Sequence, residues 1–187
     1  MDIEFLDDVT DITEAFQNQF VLTWDNFQIK HKDWIDEMSK SNYPIDKQWY
    51  DQAYMWDKMD PAFPSASMKE ALDYLRGHTG TVLFMTEKGV HEYFQGAKTI
   101  AFIAKADSHQ LADRIEFEWY ESYRLAEQCM YIPDALPEDL YVFDSSMEWC
   151  VVFTHETTDT ETEAAGDWMK NVQSRYCKIC QIGNHGY

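Results

Sequence analysis

The chain has 187 residues, 16% of them aromatic, and carries 34 acidic against 15 basic side chains, giving a formal net charge of −19. A chain of this length buries enough surface to form a core without disulfides or metals. Its charge disfavours binding to nucleic acid or to anionic membranes, and no apolar run is long enough to span a bilayer.

The first residues have neither the positive region nor the apolar region of a signal peptide. We therefore expect a cytoplasmic protein whose four cysteines are reduced.

The charge is unevenly distributed along the chain. Residues 1–60 hold 14 acidic and 5 basic side chains, and residues 107–167 hold 16 and 2. Residues 61–106 are nearly neutral, and residues 168–187 carry basic side chains only. Two acidic segments thus flank a neutral centre, which we expect to be buried.

Apolar residues in the N-terminal half recur at helical spacing. Phe16, Phe20 and Phe27 lie on one predicted face of a helix over 11–39, with Asp11 as its N-cap and a break near 30–32. A second helix is predicted over 46–59. A third begins at the capping box formed by residues 67–70 and ends at Gly77.

The pattern changes from residue 81 onward. Short β-rich runs predict strands over 81–85 and 99–104, a helix follows over 107–130, and a hairpin is predicted from strands 140–144 and 147–154. Residues 155–167 hold five acids, four Thr and no basic residue, which is typical of a solvated loop. We predict one α+β domain over 1–187, with a helical N-terminal half packed on a small, mainly antiparallel sheet.

Two groups of residues raise the question of catalysis or metal binding. Cys177 and Cys180 form a CxxC pair, and His185 follows, but a zinc site needs four ligands and a second such pair is absent from the sequence. His155 and Glu156 could supply a base and a carboxylate, yet nothing marks a nucleophile beside them. We predict no enzyme activity, no metal and no cofactor.

Acidic residues adjacent to aromatic ones are the remaining pattern. Complementary charge accelerates encounter with a basic partner, and desolvated aromatic rings stabilise the complex. We predict a protein surface that binds a basic protein and does not bind nucleic acid. The residues that we predict to contact this partner are Asp33, Trp34, Glu118, Glu121, Asp144, Glu148 and Glu156.

The predicted hairpin also carries a local resemblance. Residues 136–144, with the sequence LPEDLYVFD, and residues 149–156, WCVVFTHE, resemble a hairpin of small bacterial proteins, some of which are similar to immunity proteins. The resemblance covers about a ninth of the chain. It implies a cytoplasmic inhibitor that neutralises a cognate toxin, and an acidic inhibitor would suit a basic nuclease toxin.

Three hypotheses therefore stand. The first is an acidic inhibitor of the immunity type. The second is a DNA mimic of the phage type, whose carboxylates would be spaced like phosphates along one elongated face. The third is a small enzyme that uses His155 or a metal bound at the CxxC pair.

Overall fold

The structure is a computed structural model, and the chain in it divides into two compact units. Residues 8–64 form a helical unit, and residues 1–7 together with 65–187 form a sheet unit. The prediction of a single domain over 1–187 stays a prediction. The structure describes residues 1–7, 9–86, 102–126, 128, 130, 132–161 and 173–183.

Short helices connected by tight turns make up the helical unit. The predicted 11–39 helix is three helices, α1 (Thr10–Phe20), α2 (Trp24–Lys30) and α3 (Lys32–Lys40), followed by α4 (Lys47–Gln52) and a 3-10 helix (Met55–Lys58). The break near 30–32 is confirmed at His31.

A second interruption separates α1 from α2. There Val21 leaves the helix to pair with Met59 in an antiparallel bridge, and the Thr23 hydroxyl caps α2 by accepting from the amide of Asn26 at 3.4 Å. The predicted N-cap was wrong by two residues, since Val9 is the N-cap of α1 and Asp11 lies in its first turn.

Aromatic rings fill the core of the helical unit. Phe27 is fully buried, and its ring lies 4.4 Å from that of His31, 5.3 Å from that of Tyr50 and 6.0 Å from that of Trp49. Phe16 and Phe20 are the buried residues of α1, and their rings contact each other with centroids 4.9 Å apart. The large area of these rings lets a segment of under 60 residues bury an apolar core.

In its described residues, the sheet unit contains seven antiparallel strands. Their order in the sheet is β1-β4-β3-β5-β6-β7-β2. The strands are β1 (Glu4–Phe5), β2 (Ser65–Ser67), β3 (Thr81–Thr86), β4 (Phe102–Asp107), β5 (Leu140–Phe143), β6 (Trp149–Glu161) and β7 (Gln173–Gln181). The α+β class, the antiparallel sheet and the concentration of helices in the N-terminal half are confirmed.

Two helices cover one face of this sheet. Helix α5 (Met68–Gly77) and helix α6 (Ser108–Ala126) contribute Leu72, Leu75, Leu111 and Ile115 to a core shared with strands β3 to β7. The capping box at the start of α5 is present as predicted. No helix in the described ranges is long and apolar enough to cross a membrane.

The predicted acidic loop is in part a strand. Residues 155–161 continue β6 and pair with β7, for example Thr157 with Arg175. The Thr residues favour extended backbone because they are β-branched, and this preference outweighs the acidic composition that indicated a loop. Residues 162–167 lie outside the described residues, as do 99–101 of the predicted second strand.

Candidate functional site: the outer face of helix α6

Helix α6 presents one face to the core and the opposite face to solvent. The Asp107 carboxylate caps it by accepting from the amide of Gln110 at 3.0 Å. Leu111, Ala112 and Ile115 are buried, whereas Asp113 and Phe117 are exposed on the other side of the helix. This outer face carries most of the features that a protein-binding surface requires.

Phe117 is the exposed aromatic residue at the centre of that face. Its side chain is 61% exposed, and Asp113 and Glu121 lie four residues before and after it on the same side of the helix. A shallow depression beside the ring is lined by Met1, Gln110, Asp113, Arg114, Phe117 and Glu118. An exposed ring flanked by carboxylates and a depression has the arrangement of an interface anchor.

Phe117 is not among the contact residues predicted from the sequence. Trp119, two residues further along the helix, packs partly buried against the core. The signal was present, since Phe117 falls outside the apolar stripe of residues 111, 115 and 119 on an otherwise charged face. A large apolar residue out of phase with a helix's buried stripe is expected to be exposed.

The two predicted contact residues on α6 are both held by arginines. Glu118 accepts from Arg114 Nε at 2.6 Å and from the amide of Leu136 at 2.6 Å. Both of its carboxylate oxygens are therefore occupied by hydrogen bonds within the chain. Glu121 pairs with Arg124, and the hydrogen bonds from that guanidinium lower the pKa of Glu121. Glu118 is therefore a structural carboxylate, whereas Glu121 remains near the surface.

The three predicted contact residues on the hairpin differ in the same way. Asp144 accepts from the amide of Ser146 at 2.9 Å and from the indole Nε1 of Trp149 at 2.9 Å, and so it closes the turn. Glu148 and Glu156 are exposed, and their carboxylates make no hydrogen bond or ion pair within the described residues. These two remain open to a partner.

Asp33 and Trp34 lie on α3 of the helical unit, whereas the other five predicted residues lie in the sheet unit. Asp33 is exposed. Trp34 is 36% exposed, and its ring lies 5.4 Å from that of Trp49 and 6.3 Å from that of Phe27. Trp34 and the more exposed Tyr43 are the large aromatic residues on the helical unit's surface.

Most of the described basic side chains are paired with carboxylates of the same chain. In the described ranges, at least eight of the twelve Lys and Arg side chains form ion pairs with carboxylates. Arg175 and Lys178 are buried, and Lys58 lies over the ring of Tyr50 at 5.0–5.2 Å together with Lys47. The excess of acids in the composition is thus left on the exterior.

The CxxC pair does not form a joint ligand set. Cys177 and Cys180 lie on β7 three residues apart, and an odd separation in a strand places side chains on opposite faces. Burial raises the pKa of each thiol to about 12, which opposes the thiolate that a metal requires. His185 lies outside the described residues, and within them no group of three His, Cys, Asp or Glu is arranged to bind a metal.

His155 is oriented by Asp139 and not by its neighbour Glu156. One Asp139 oxygen accepts from the His155 amide at 3.0 Å, and both oxygens lie 3.0 Å from Nδ1 of the imidazole. Asp139 was missed because it reaches His155 only through the pairing of β5 with β6.

Comparisons with known proteins give no relative from which a role could be transferred. No protein-family model, curated protein or solved structure matches this chain.

Proposed function

We propose that the protein is an acidic binding protein that neutralises a basic protein partner, in the manner of an immunity protein that inhibits a bacterial toxin. The observation that carries this proposal is the internal pairing of its cations, which leaves an excess of negative charge on the exterior. Such a surface attracts cationic proteins over a distance of about one Debye length, roughly 8 Å at physiological salt.

The outer face of α6 adds an exposed aromatic residue to the negative charge of the surface. Long-range attraction accelerates encounter, but the lifetime of a complex depends on desolvated anchors. Phe117 is 61% exposed beside a depression, and Asp113 lies one turn away. We therefore place the centre of the interface on α6, with Glu121 at its edge.

The first experiment tests the function itself. The chain is co-expressed with the product of the adjacent gene, and we expect rescue of growth and a one-to-one complex by size-exclusion chromatography. In stopped-flow measurements, the association rate should fall steeply with added salt. A complex whose association rate is insensitive to salt, or the absence of any complex at low salt, would contradict the proposal.

The second experiment tests the location of the interface. Phe117→Ala should raise the dissociation rate by about tenfold or more, since a central aromatic anchor contributes roughly 2 kcal/mol. Tyr43→Ala is the matched control, because Tyr43 is 52% exposed but lies in the helical unit. Equal effects of the two substitutions would remove α6 from the interface while leaving the function open to test.

A further inference from the structure

A buried arginine in the sheet unit has an incomplete set of hydrogen bonds. Arg175 lies on β7 and is 4% exposed. Its Nε donates to the backbone oxygen of Thr154 at 2.6 Å. Its guanidinium carbon lies 5.0 Å from the centre of the Trp119 ring and 5.6 Å from that of Phe153. The two rings and the Nε bond hold the guanidinium in one orientation.

The other edge of this guanidinium has no acceptor. Nη2 is buried without a hydrogen-bond partner, and within the described residues the bond through Nε is the only one that the Arg175 side chain makes. Burial lowers the pKa of Arg175, but an arginine stays protonated in proteins. A buried cation with vacant donors is unfavourable until an acceptor binds it.

Two of the three carboxylates whose charge acts on Arg175 are engaged elsewhere, and the third, Glu138, makes no hydrogen bond with Arg175. Glu118 accepts from Arg114 and from the amide of Leu136, and Asp139 accepts from His155. Neither forms a hydrogen bond with Arg175. Their negative charges stabilise the protonated guanidinium electrostatically, but they do not accept hydrogen bonds from its Nη atoms.

Arg175 lines a cavity of about 210 Å³. Ligand sites for drug-sized molecules usually measure about 300–1,000 Å³, so this cavity suits a smaller molecule. Most of its wall is apolar, and its polar parts are formed by Glu118, Ser122 and Glu138 together with Arg175. The apolar side chains that line it are Ile115, Trp119, Met130, Ile132, Ala135, Leu136, Pro137 and Leu140.

We propose that this cavity binds a small monocarboxylate, whose two oxygens accept hydrogen bonds from the Nη edge of Arg175 while its apolar body packs against Trp119 and Leu136. A planar guanidinium matches a carboxylate in bidentate geometry, and the pair is stronger in a site shielded from water. Glu138 disfavours a second negative charge on the ligand. This cavity shares Glu118 with the depression beside Phe117, and its other lining residues differ.

The experiment uses the whole protein and three probes, benzoate, isovalerate and 3-phenylpropionate, each compared with its neutral amide. Titration followed by calorimetry and by NMR of the Arg175 guanidinium should show that at least one carboxylate binds more than tenfold tighter than its amide. Equal binding of acid and amide overturns the proposal. A guanidinium that is already hydrogen-bonded through Nη in the ligand-free protein overturns it as well.

Two substitutions locate the binding. Arg175→Lys should weaken the best carboxylate by tenfold or more, because an ammonium cannot bind it in bidentate geometry. Since Arg175 also packs in the core, Ser122→Trp gives an independent test: Ser122 is exposed at the wall of the cavity, and an indole there should block entry. Ser145→Trp, in an exposed turn, is the control. Unchanged binding in Ser122→Trp would overturn the proposed location.

Discussion

Asp139 and His155 join the ends of two neighbouring strands through a shared set of hydrogen bonds. The carboxylate accepts from the backbone amide of His155 at 3.0 Å and lies 3.0 Å from its Nδ1. Asp139 immediately precedes β5, and His155 lies on β6 just beyond Phe153, where the register with β7 shifts. The carboxylate therefore secures β6 where its ladder is interrupted.

We expect Asp139→Ala to destabilise the sheet unit by about 1–2 kcal/mol, because it removes the acceptor of the partly buried hydrogen bond from the His155 amide. Asp139→Asn should lose less, since its amide oxygen still accepts from that backbone group. Urea unfolding measures the difference. Glu156→Ala, at the exposed residue that follows His155, should be nearly neutral, and a comparable loss there would contradict the assignment.

Asp144 offers a test of whether a predicted contact residue is structural. It closes the β5–β6 turn through Ser146 and Trp149. Asp144→Ala should reduce the free energy of unfolding by about 1–2 kcal/mol, whereas Asp144→Asn should keep the bond to the amide of Ser146. If Asp144 instead contacts the partner through its charge, both variants would weaken partner binding equally at unchanged stability.

The local elements of this fold could be predicted from the sequence because their signals are local. The capping box of α5 and the β-rich run of β3 lie within single short segments. Strand β7 was missed because it is buried on both faces near its centre, where Cys177 and Lys178 are adjacent and both buried. A strand buried on both faces lacks the alternation that identifies it.

The candidate site could be predicted only in part, since its decisive features depend on distant pairings. The negative charge follows from composition, but the internal pairing of the cations does not: Arg76 reaches Asp113 and Glu116 on another helix. Arg175 is buried because Trp119, more than 50 residues away, covers it. No local pattern marks such a residue, and a lone arginine near a chain end is usually exposed.

The start of α5 gives a prediction for a helix cap. The Ser67 hydroxyl accepts from the amide of Glu70 at 3.2 Å, and the Glu70 carboxylate accepts from the amide of Ser67 at 2.8 Å, which lowers the pKa of Glu70. Ser67→Ala should destabilise the protein by about 1 kcal/mol, and Ser67→Thr should restore most of the loss. Thermal unfolding compares them with Thr79→Ala, which alters an exposed residue outside the helix.

The buried thiols predict a loss of stability at alkaline pH. Burial raises the pKa of Cys177 and Cys180 from 9.0 to about 12 in the folded state, so the unfolded chain releases these protons first. The stability linked to each thiol is fully present below about pH 9 and falls as the pH rises toward 12. The slope approaches about 1.4 kcal/mol per pH unit for each thiol.

Replacing one thiol should therefore flatten the alkaline limb of the stability curve. Cys180→Ala removes one titrating group from the buried part of β7, so its free energy of unfolding should fall less steeply than that of the wild type between about pH 9 and about pH 11. Urea unfolding at several pH values measures both slopes. The tyrosines, Cys177 and Cys150 remain in the variant, and burial keeps the pKa of Cys150 well above its ordinary value, so their contributions cancel in the comparison. Parallel curves would contradict the raised pKa of Cys180.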